Sequence, residues 1–114
     1  MKECVDLSNL PIIDWELAKK LAGKDKTLAD DLLALLCQKL PSDMEEIDAM
    51  YNVQNYSELL RYVHKLHGAL CYTGLVRIKM IVEYLETELK NNIMTNLPSL
   101  LYQLHAEVSL LLMR

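Results

Sequence analysis

The sequence predicts an all-α fold, an up-down antiparallel four-helix bundle with an additional short N-terminal helix. Apolar residues recur every three or four positions through four long stretches, which is the period of a helix buried on one side. The 114 residues include only 3 glycines and 3 prolines, too few for the many tight turns of a strand-rich fold. Short polar connections favour antiparallel neighbours. We therefore expect a single domain spanning residues 1–114.

The first two helices are placed by their capping residues. A short helix is expected after Pro11, with Asp14 as N-cap and Gly23 at its C-terminus. The second begins at Thr27, where Thr-Leu-Ala-Asp resembles a capping box, and runs to about residue 52. Pro41 removes one backbone hydrogen bond within it. Because the apolar stripe stays in phase across Pro41, one long kinked helix is predicted, with inward positions 28, 32, 36, 40, 44, 47 and 51.

The remaining three helices follow the same pattern. Asn55 is expected to cap the third, which ends near the turn at Gly74. The fourth runs from Leu75 to about Lys90, and Asn96 is expected to cap the fifth. Their predicted inward residues are Leu59, Val63, Leu66 and Leu70 in the third, Leu75, Ile78, Val82, Leu85 and Leu89 in the fourth, and Leu97, Leu101, Leu104, Val108 and Leu111 in the fifth.

Composition excludes several classes of function. A formal charge of -4, with no cluster of more than two basic residues, argues against nucleic acid as a partner. The apolar runs are far shorter than a membrane span, and no signal peptide opens the chain, so no direct membrane contact is expected. Three widely spaced cysteines indicate a reducing compartment. We expect a cytoplasmic protein that is monomeric as an isolated domain.

His64 is the candidate reactive residue. On a helical wheel it lies about 120° from the centre of the third helix's apolar stripe, so one edge is packed and the other is open. Gly68 follows one turn later and clears the surface beside the imidazole, or alternatively permits close helix packing. An ordinary histidine is largely neutral and nucleophilic at physiological pH. Such a residue can carry a phosphoryl group if a partner supplies the remaining machinery.

Glu86 is a candidate partner of His64. The two residues lie at similar distances from the turn at Gly74, so antiparallel packing brings them to nearly the same height. The carboxylate could then accept a hydrogen bond from Nδ1–H and leave Nε2 as the nucleophile. A surface glutamate paired with Lys79 or Lys90 is an equally good interpretation of the spacing.

The stretch from His64 to Gly74, HKLHGALCYTG, resembles the motif H-x-L-K-G-[SA]-x-x-x-x-G of the HPt (histidine-containing phosphotransfer) domain family. The resemblance is greatest to the C-terminal HPt domains of hybrid sensor histidine kinases of the BarA/GacS type. It implies that His64 accepts a phosphoryl group from a receiver-domain aspartate and passes it to another response-regulator receiver. It further implies that Gly68 gives the receiver access and that Glu86 orients His64.

The resemblance also implies what the domain itself does not supply. Mg²⁺ is expected only in the partner receiver, so the domain would need no cofactor or metal and would have no kinase activity of its own. The implied location is cytoplasmic, either alone or as the C-terminal domain of a membrane-anchored sensor kinase. One position departs from the motif, because His67 stands where the family has a lysine that neutralises phosphate charge. A protonated His67 could supply part of that charge, and Arg61 could compensate. A partly buried histidine at the edge of the apolar stripe is an equally good interpretation of His67. The expected partner-binding surface comprises Leu60, Lys65, Gly68 and Cys71.

Two other functions fit parts of the pattern. His64, His67 and Cys71 share one helical face and are zinc ligand types, although one helix seldom brings such positions to a single ion. The chain could also be a helical protein-interaction module without chemistry, with its apolar flank as a groove for a partner helix. Metal analysis of the purified protein tests the first alternative, and a phosphodonor assay on His64→Gln tests the second.

Overall fold

The computed structural model describes residues 5–113. These residues form five helices, and the all-α prediction is confirmed. The helices are α1 Trp15–Leu21, α2 Lys26–Asn52, α3 Tyr56–Leu70, α4 Val76–Lys90 and α5 Leu97–Met113. The four long helices pack α2 on α3, α3 on α4, α4 on α5 and α5 back on α2, while α1 lies against α2.

Short polar side chains cap the helices at the positions expected for α1 and α3. The Oδ1 atom of Asp14 accepts a hydrogen bond from the backbone N–H of Leu17 at 3.0 Å. The Oδ1 atom of Asn55 accepts one from the backbone N–H of Glu58 at 3.3 Å. Each bond satisfies one of the first-turn donors that a helix leaves without an internal partner. The start of α3, which carries His64, is therefore fixed locally by its own sequence.

The long helix α2 is continuous through Pro41, as the phase of its apolar stripe predicted. The predicted start at Thr27 is wrong, because Asp25 is the N-cap and its Oδ1 accepts from the backbone N–H of Leu28 at 3.1 Å. Aspartate and threonine both suit this position, and the earlier residue begins the helix. The buried face then starts at Ala29, whereas Leu28 is 44% exposed.

The start of α4 differs by one residue from the prediction, whereas α5 begins at Leu97, directly after Asn96, as expected. Leu75 is the N-cap of α4 rather than its first residue, and it is fully buried. The side-chain hydrogen bond found for Asn96 runs from its amide to Oε1 of Glu88 at 2.7 Å, so it ties the beginning of α5 to the end of α4. Both helices nevertheless lie where the periodicity put them.

The core contains every inward residue predicted for α3, α4 and α5. The stripe of α3 is almost completely buried, with Leu59, Val63 and Leu70 at 0% exposure and Leu66 at 2%. Burying one leucine stabilises a fold by about 1.5–3 kcal/mol relative to leaving it exposed. Rotating α3 would expose this stripe, so packing fixes the direction in which the flank carrying His64 points.

Gly74 is needed for a close approach between the α3–α4 connection and α1. The backbone N–H of Asp14 donates to the carbonyl oxygen of Gly74 at 2.7 Å. A Cβ atom at position 74 would overlap the carbonyl oxygen of Asp14 and lie 3.0 Å from the Cβ of Ala18. The glycine thus does more than end a turn, because it lets α1 dock against the bundle.

A largely buried ion pair links α4 to α5. Arg77 donates through Nη2 to Oε2 of Glu107 at 2.9 Å, and Glu107 is only 5% exposed. Removing one member of such a pair leaves an uncompensated charge in the protein interior, which is strongly destabilising.

None of the helices described for residues 5–113 combines the length and apolarity that crossing a bilayer requires.

Candidate functional site

His64 lies on the outward flank of α3, and its side chain is 69% exposed. The preceding residue, Val63, is fully buried in the core, so α3 is rotated such that His64 lies beside the buried stripe and faces outwards. The Nδ1 atom of His64 faces Oε2 of Glu86 on α4. Among residues 5–113, no group forms a hydrogen bond with Nε2 of His64, so this atom faces solvent. The opposite ring nitrogen, Nδ1, is the one that faces Glu86.

Glu86 is a buried carboxylate at the edge of the α3–α4 interface, with its side chain 7% exposed. Burial by itself raises the pKa of Glu86, but hydrogen bonds from His64 and Lys90 outweigh this effect and the pKa is lowered overall. The carboxylate therefore stays ionised at neutral pH and favours the Nδ1–H tautomer of His64. The contact has the register anticipated from the turn at Gly74, and the orienting role of Glu86 stays a prediction.

The imidazole of His67 contacts two carboxylates, whereas a side chain that is free to bind phosphate would have no such partners. Its Nε2 lies 3.2 Å from Oε2 of Glu83, and its Nδ1 lies 3.1 Å from Oε1 of Glu86. The imidazole is 25% exposed, and both of its ring nitrogens face carboxylates. His64 and His67 consequently share Glu86, one at each oxygen, and the charge role of His67 stays a prediction.

The other predicted cationic residues are also directed elsewhere. Arg61 pairs with Oε1 of Glu58 at 3.3 Å and stacks over the ring of Tyr62, 5.9 Å from its centroid. Lys65 lines a cavity between α2 and α3 together with Asp43, on the opposite side of α3 from Glu86. Neither residue is brought to His64, although both are exposed and both stay predictions.

The surface beside His64 is open at Gly68. A Cβ added at this glycine would meet nothing within 4 Å, so the alternative that Gly68 permits close packing within the domain is wrong. Leu60 and Cys71 are half-buried on the same side, and Cys71 caps the end of α3 as a free thiol. All three positions lie on α3 or at its end, as His64 does, and their role in partner binding stays a prediction.

Sequence reasoning missed Glu83, and it gave Lys90 only as an alternative partner of Glu86. Glu83 follows from the register that pairs positions 64 and 86, because the same register pairs 67 with 83. Lys90 lies with Nζ 3.4 Å from Oε2 of Glu86, the oxygen that faces His64. The signal for Lys90 was its i,i+4 spacing from Glu86, which usually means an ordinary surface pair.

The alternative metal site is not assembled. Among residues 5–113, no three histidine, cysteine, aspartate or glutamate side chains are placed to hold one ion. His67 is directed to Glu83 and Glu86, whereas Cys71 lies in a groove formed with Leu17 and Met80. The i, i+3 and i+7 spacing along one helix therefore does not converge on a common point.

The fold and the site together define a class of protein, a helical bundle with a solvent-facing histidine whose Nδ1 atom faces a buried carboxylate on the neighbouring helix. The Hpt domain model matches residues 31–113, and the chain belongs to the Hpt domain family. The resemblance seen in the motif from His64 to Gly74 is thereby confirmed.

Similar proteins include two kinds of sensor kinase. The chain is 32% identical over 79 residues to the signal transduction histidine-protein kinase BarA of Escherichia coli, a match covering 69% of this chain and 9% of that protein. It is 35% identical over 81 residues to the sensor protein GacS of Pseudomonas syringae pv. syringae, covering 71% and 9% respectively. The matched stretch is thus a small part of each kinase.

A solved structure has the same fold. The crystal structure of the HPT domain from the Hpt sensor hybrid histidine kinase from Shewanella superposes with a TM-score of 0.79 at 27% identity. The match covers 86% of this chain and 85% of the Shewanella chain. The structural similarity therefore covers most of the chain.

Proposed function

We propose that this domain is a phosphorelay carrier, in which Nε2 of His64 receives a phosphoryl group from a receiver-domain aspartate and passes it to a second receiver. The main evidence for this proposal is the orientation of the His64 imidazole. Nδ1 is held by the buried carboxylate of Glu86, while Nε2 faces solvent on a side chain that is 69% exposed. Membership of the Hpt domain family supports the same function.

The transfer reaction needs no general acid or base besides the reacting groups themselves. The lone pair of His64 Nε2 attacks the phosphorus of an aspartyl phosphate, an N–P bond forms, and the P–O bond to the aspartate breaks. The aspartate leaves as a carboxylate. Because Nδ1 keeps its proton throughout, the phosphorylated ring becomes cationic, and the carboxylate of Glu86 stabilises that charge. Onward transfer is the reverse reaction on a second receiver.

We assign the remaining machinery to the partner. Phosphoryl transfer depends on in-line positioning and on charge stabilisation, which a receiver with an acidic pocket and Mg²⁺ provides. The carrier then needs no cofactor and no kinase activity of its own. The surface formed by Leu60, Gly68 and Cys71 is proposed as the docking area, with a cytoplasmic receiver as its partner and the carrier acting as a monomer.

The proposal is tested by incubating the domain with a panel of receivers labelled with ³²P-phosphate on aspartate. We expect at least one receiver to label the wild-type domain on a base-stable, acid-labile histidine. His64→Gln should abolish labelling. His105→Gln is the matched control, because His105 is an exposed histidine of α5 that contacts Asp48 at 2.9 Å, away from this site. Equal labelling of His64→Gln and the wild type would overturn the proposal.

A further inference from the structure

The two oxygens of Glu86 meet two different histidines of α3. Oε2 faces Nδ1 of His64, and Oε1 lies 3.1 Å from Nδ1 of His67. The Glu86 side chain is only 7% exposed, and a buried oxygen that loses its partner is costly. Because both oxygens belong to one planar carboxylate, a group that fixes Oε1 also fixes the direction in which Oε2 points.

His67 lies between two carboxylates. Its Nε2 is hydrogen-bonded to Oε2 of Glu83 at 3.2 Å, and its Nδ1 is within ion-pair distance of Glu86. A neutral imidazole has one N–H and turns a lone pair towards one of these carboxylates, whereas a protonated ring has an N–H on each nitrogen. Glu83 and Glu86 are also one turn apart on α4, where like charges repel. The placement therefore favours a positively charged His67.

The other charged groups at this cluster leave Oε1 to His67. Lys79 lies with Nζ 4.0 Å from Oε2 of Glu83, and Lys90 lies with Nζ 3.4 Å from Oε2 of Glu86. Lys90 and His64 thus compete for the same oxygen of Glu86. If Oε1 were not held, the carboxylate could turn towards Lys90, whose exposed side chain can follow it. Holding Oε1 keeps Oε2 directed at His64.

We propose that His67 is a positioning residue for His64, acting through Glu86. In its protonated form His67 pairs with Oε1 of Glu86, Glu83 anchors the opposite side of the ring, and Oε2 is kept facing Nδ1 of His64. This inference rests on the proposed function of His64 and deepens it. The residue at the motif's lysine position then acts before any phosphoryl group is present, and its action weakens as rising pH removes the proton.

The first test measures the tautomer of His64 in the unphosphorylated domain by ¹⁵N NMR of the imidazole nitrogens at neutral pH. We expect neutral His64 to carry its proton on Nδ1 in the wild type. His67→Leu should shift it towards the Nε2–H tautomer, and His67→Lys, which restores a positive charge, should return it to Nδ1–H. His105→Gln is the matched control, because His105 contacts Asp48 on the far side of the bundle. A wild-type tautomer in His67→Leu, or no recovery in His67→Lys, would overturn the inference.

The second test measures the rate of phosphoryl transfer to the wild type and to His67→Lys from about pH 6 to 8, the range in which histidine changes charge. Both proteins receive the phosphoryl group from the same receiver, so the receiver's own pH dependence cancels in the ratio of the rates. The wild-type rate should fall about threefold relative to that of His67→Lys as pH rises, since one charged contact is lost. A ratio that does not change with pH would overturn the inference.

The two tests also separate this inference from the proposed function. Failure of every receiver to label wild-type His64 would overturn the carrier function. The tautomer measurement needs no receiver and no phosphoryl group, so it decides the positioning role of His67 in either case.

Discussion

Replacing Gly68 should make the domain more stable and a poorer phosphoryl acceptor. The glycine lies inside α3, one turn after His64, and it is exposed. An added Cβ atom would meet nothing within 4 Å, so the native fold can accommodate a side chain there without strain. A glycine where alanine fits costs helix stability. Under the proposed function, this bare surface is where the receiver approaches His64.

The size of the stability gain follows from helix propensity. Alanine is about 1 kcal/mol more favourable than glycine in an exposed helix interior. No clash subtracts from this gain at position 68. For a domain of this length, 1 kcal/mol raises the Tm by roughly 3–6 °C. We therefore expect Gly68→Ala to unfold about 3–6 °C above the wild type.

The effect on transfer is best measured with a longer side chain. Gly68→Gln should slow phosphoryl transfer from a receiver about tenfold or more, since a clash costing over 1.4 kcal/mol in the complex has that effect. Ala69→Gln is the control, because Ala69 is an exposed neighbour that lines the opposite, α2-facing side of α3. Phosphorylation by phosphoramidate should be nearly unchanged in both variants.

Two results would refute this reasoning. A loss of stability in Gly68→Ala would show that the glycine is required by packing or backbone geometry within the domain. Transfer to Gly68→Gln at the wild-type rate would show that the receiver does not approach over this surface. Thermal unfolding followed by circular dichroism and quenched-flow transfer assays measure the two quantities separately.

Gly74→Ala should act in the opposite direction and destabilise the domain by about 1–3 kcal/mol, because the new Cβ overlaps the carbonyl oxygen of Asp14. Urea unfolding measures this loss, and unchanged stability would contradict the close approach. Glu86 adds a pH-dependent contribution to stability. Because its pKa is lowered in the folded state, this contribution is present above the ordinary glutamate pKa of about 4.3 and is lost as pH falls through the folded value. Stability should therefore decline more steeply below about pH 4.3 in the wild type than in Glu86→Gln, and parallel declines would refute the assignment.

Much of the fold was predictable because its signals are local. The period of α3 identified Leu59, Val63, Leu66 and Leu70 as its buried stripe, and all four are buried. The cap at Asn55 needed no more than its own first turn. The start of α2 was missed because Asp25 and Thr27 are both good caps within two residues of each other, and propensity does not choose between them.

Only the part of the site that follows from the antiparallel register of α3 and α4 was predictable from the sequence. The turn at Gly74 related His64 to Glu86, and the structure places them in contact. His67, a further partner of the carboxylate, depends on side-chain directions at an interface between two helices, which a wheel drawn for a single helix does not contain. The pairing with Lys90 was foreseen as an alternative because the two residues are four positions apart on α4. The burial of Glu107 was also not predicted, because it depends on the ion pair with Arg77 on the neighbouring helix α4.

The sharing of Glu86 between two imidazoles has a consequence for the choice of partner. Each of its oxygens faces a different histidine, so the carboxylate cannot turn without losing one contact. The predicted orienting role of Glu86 would then fix the angle of the His64 ring to α3. Under the proposed function, every receiver meets the same atom pointing in the same direction. Discrimination between receivers then has to come from the shape and chemistry of the surface around the ring, and a carrier could change partners by altering that surface while its reacting atoms stay the same.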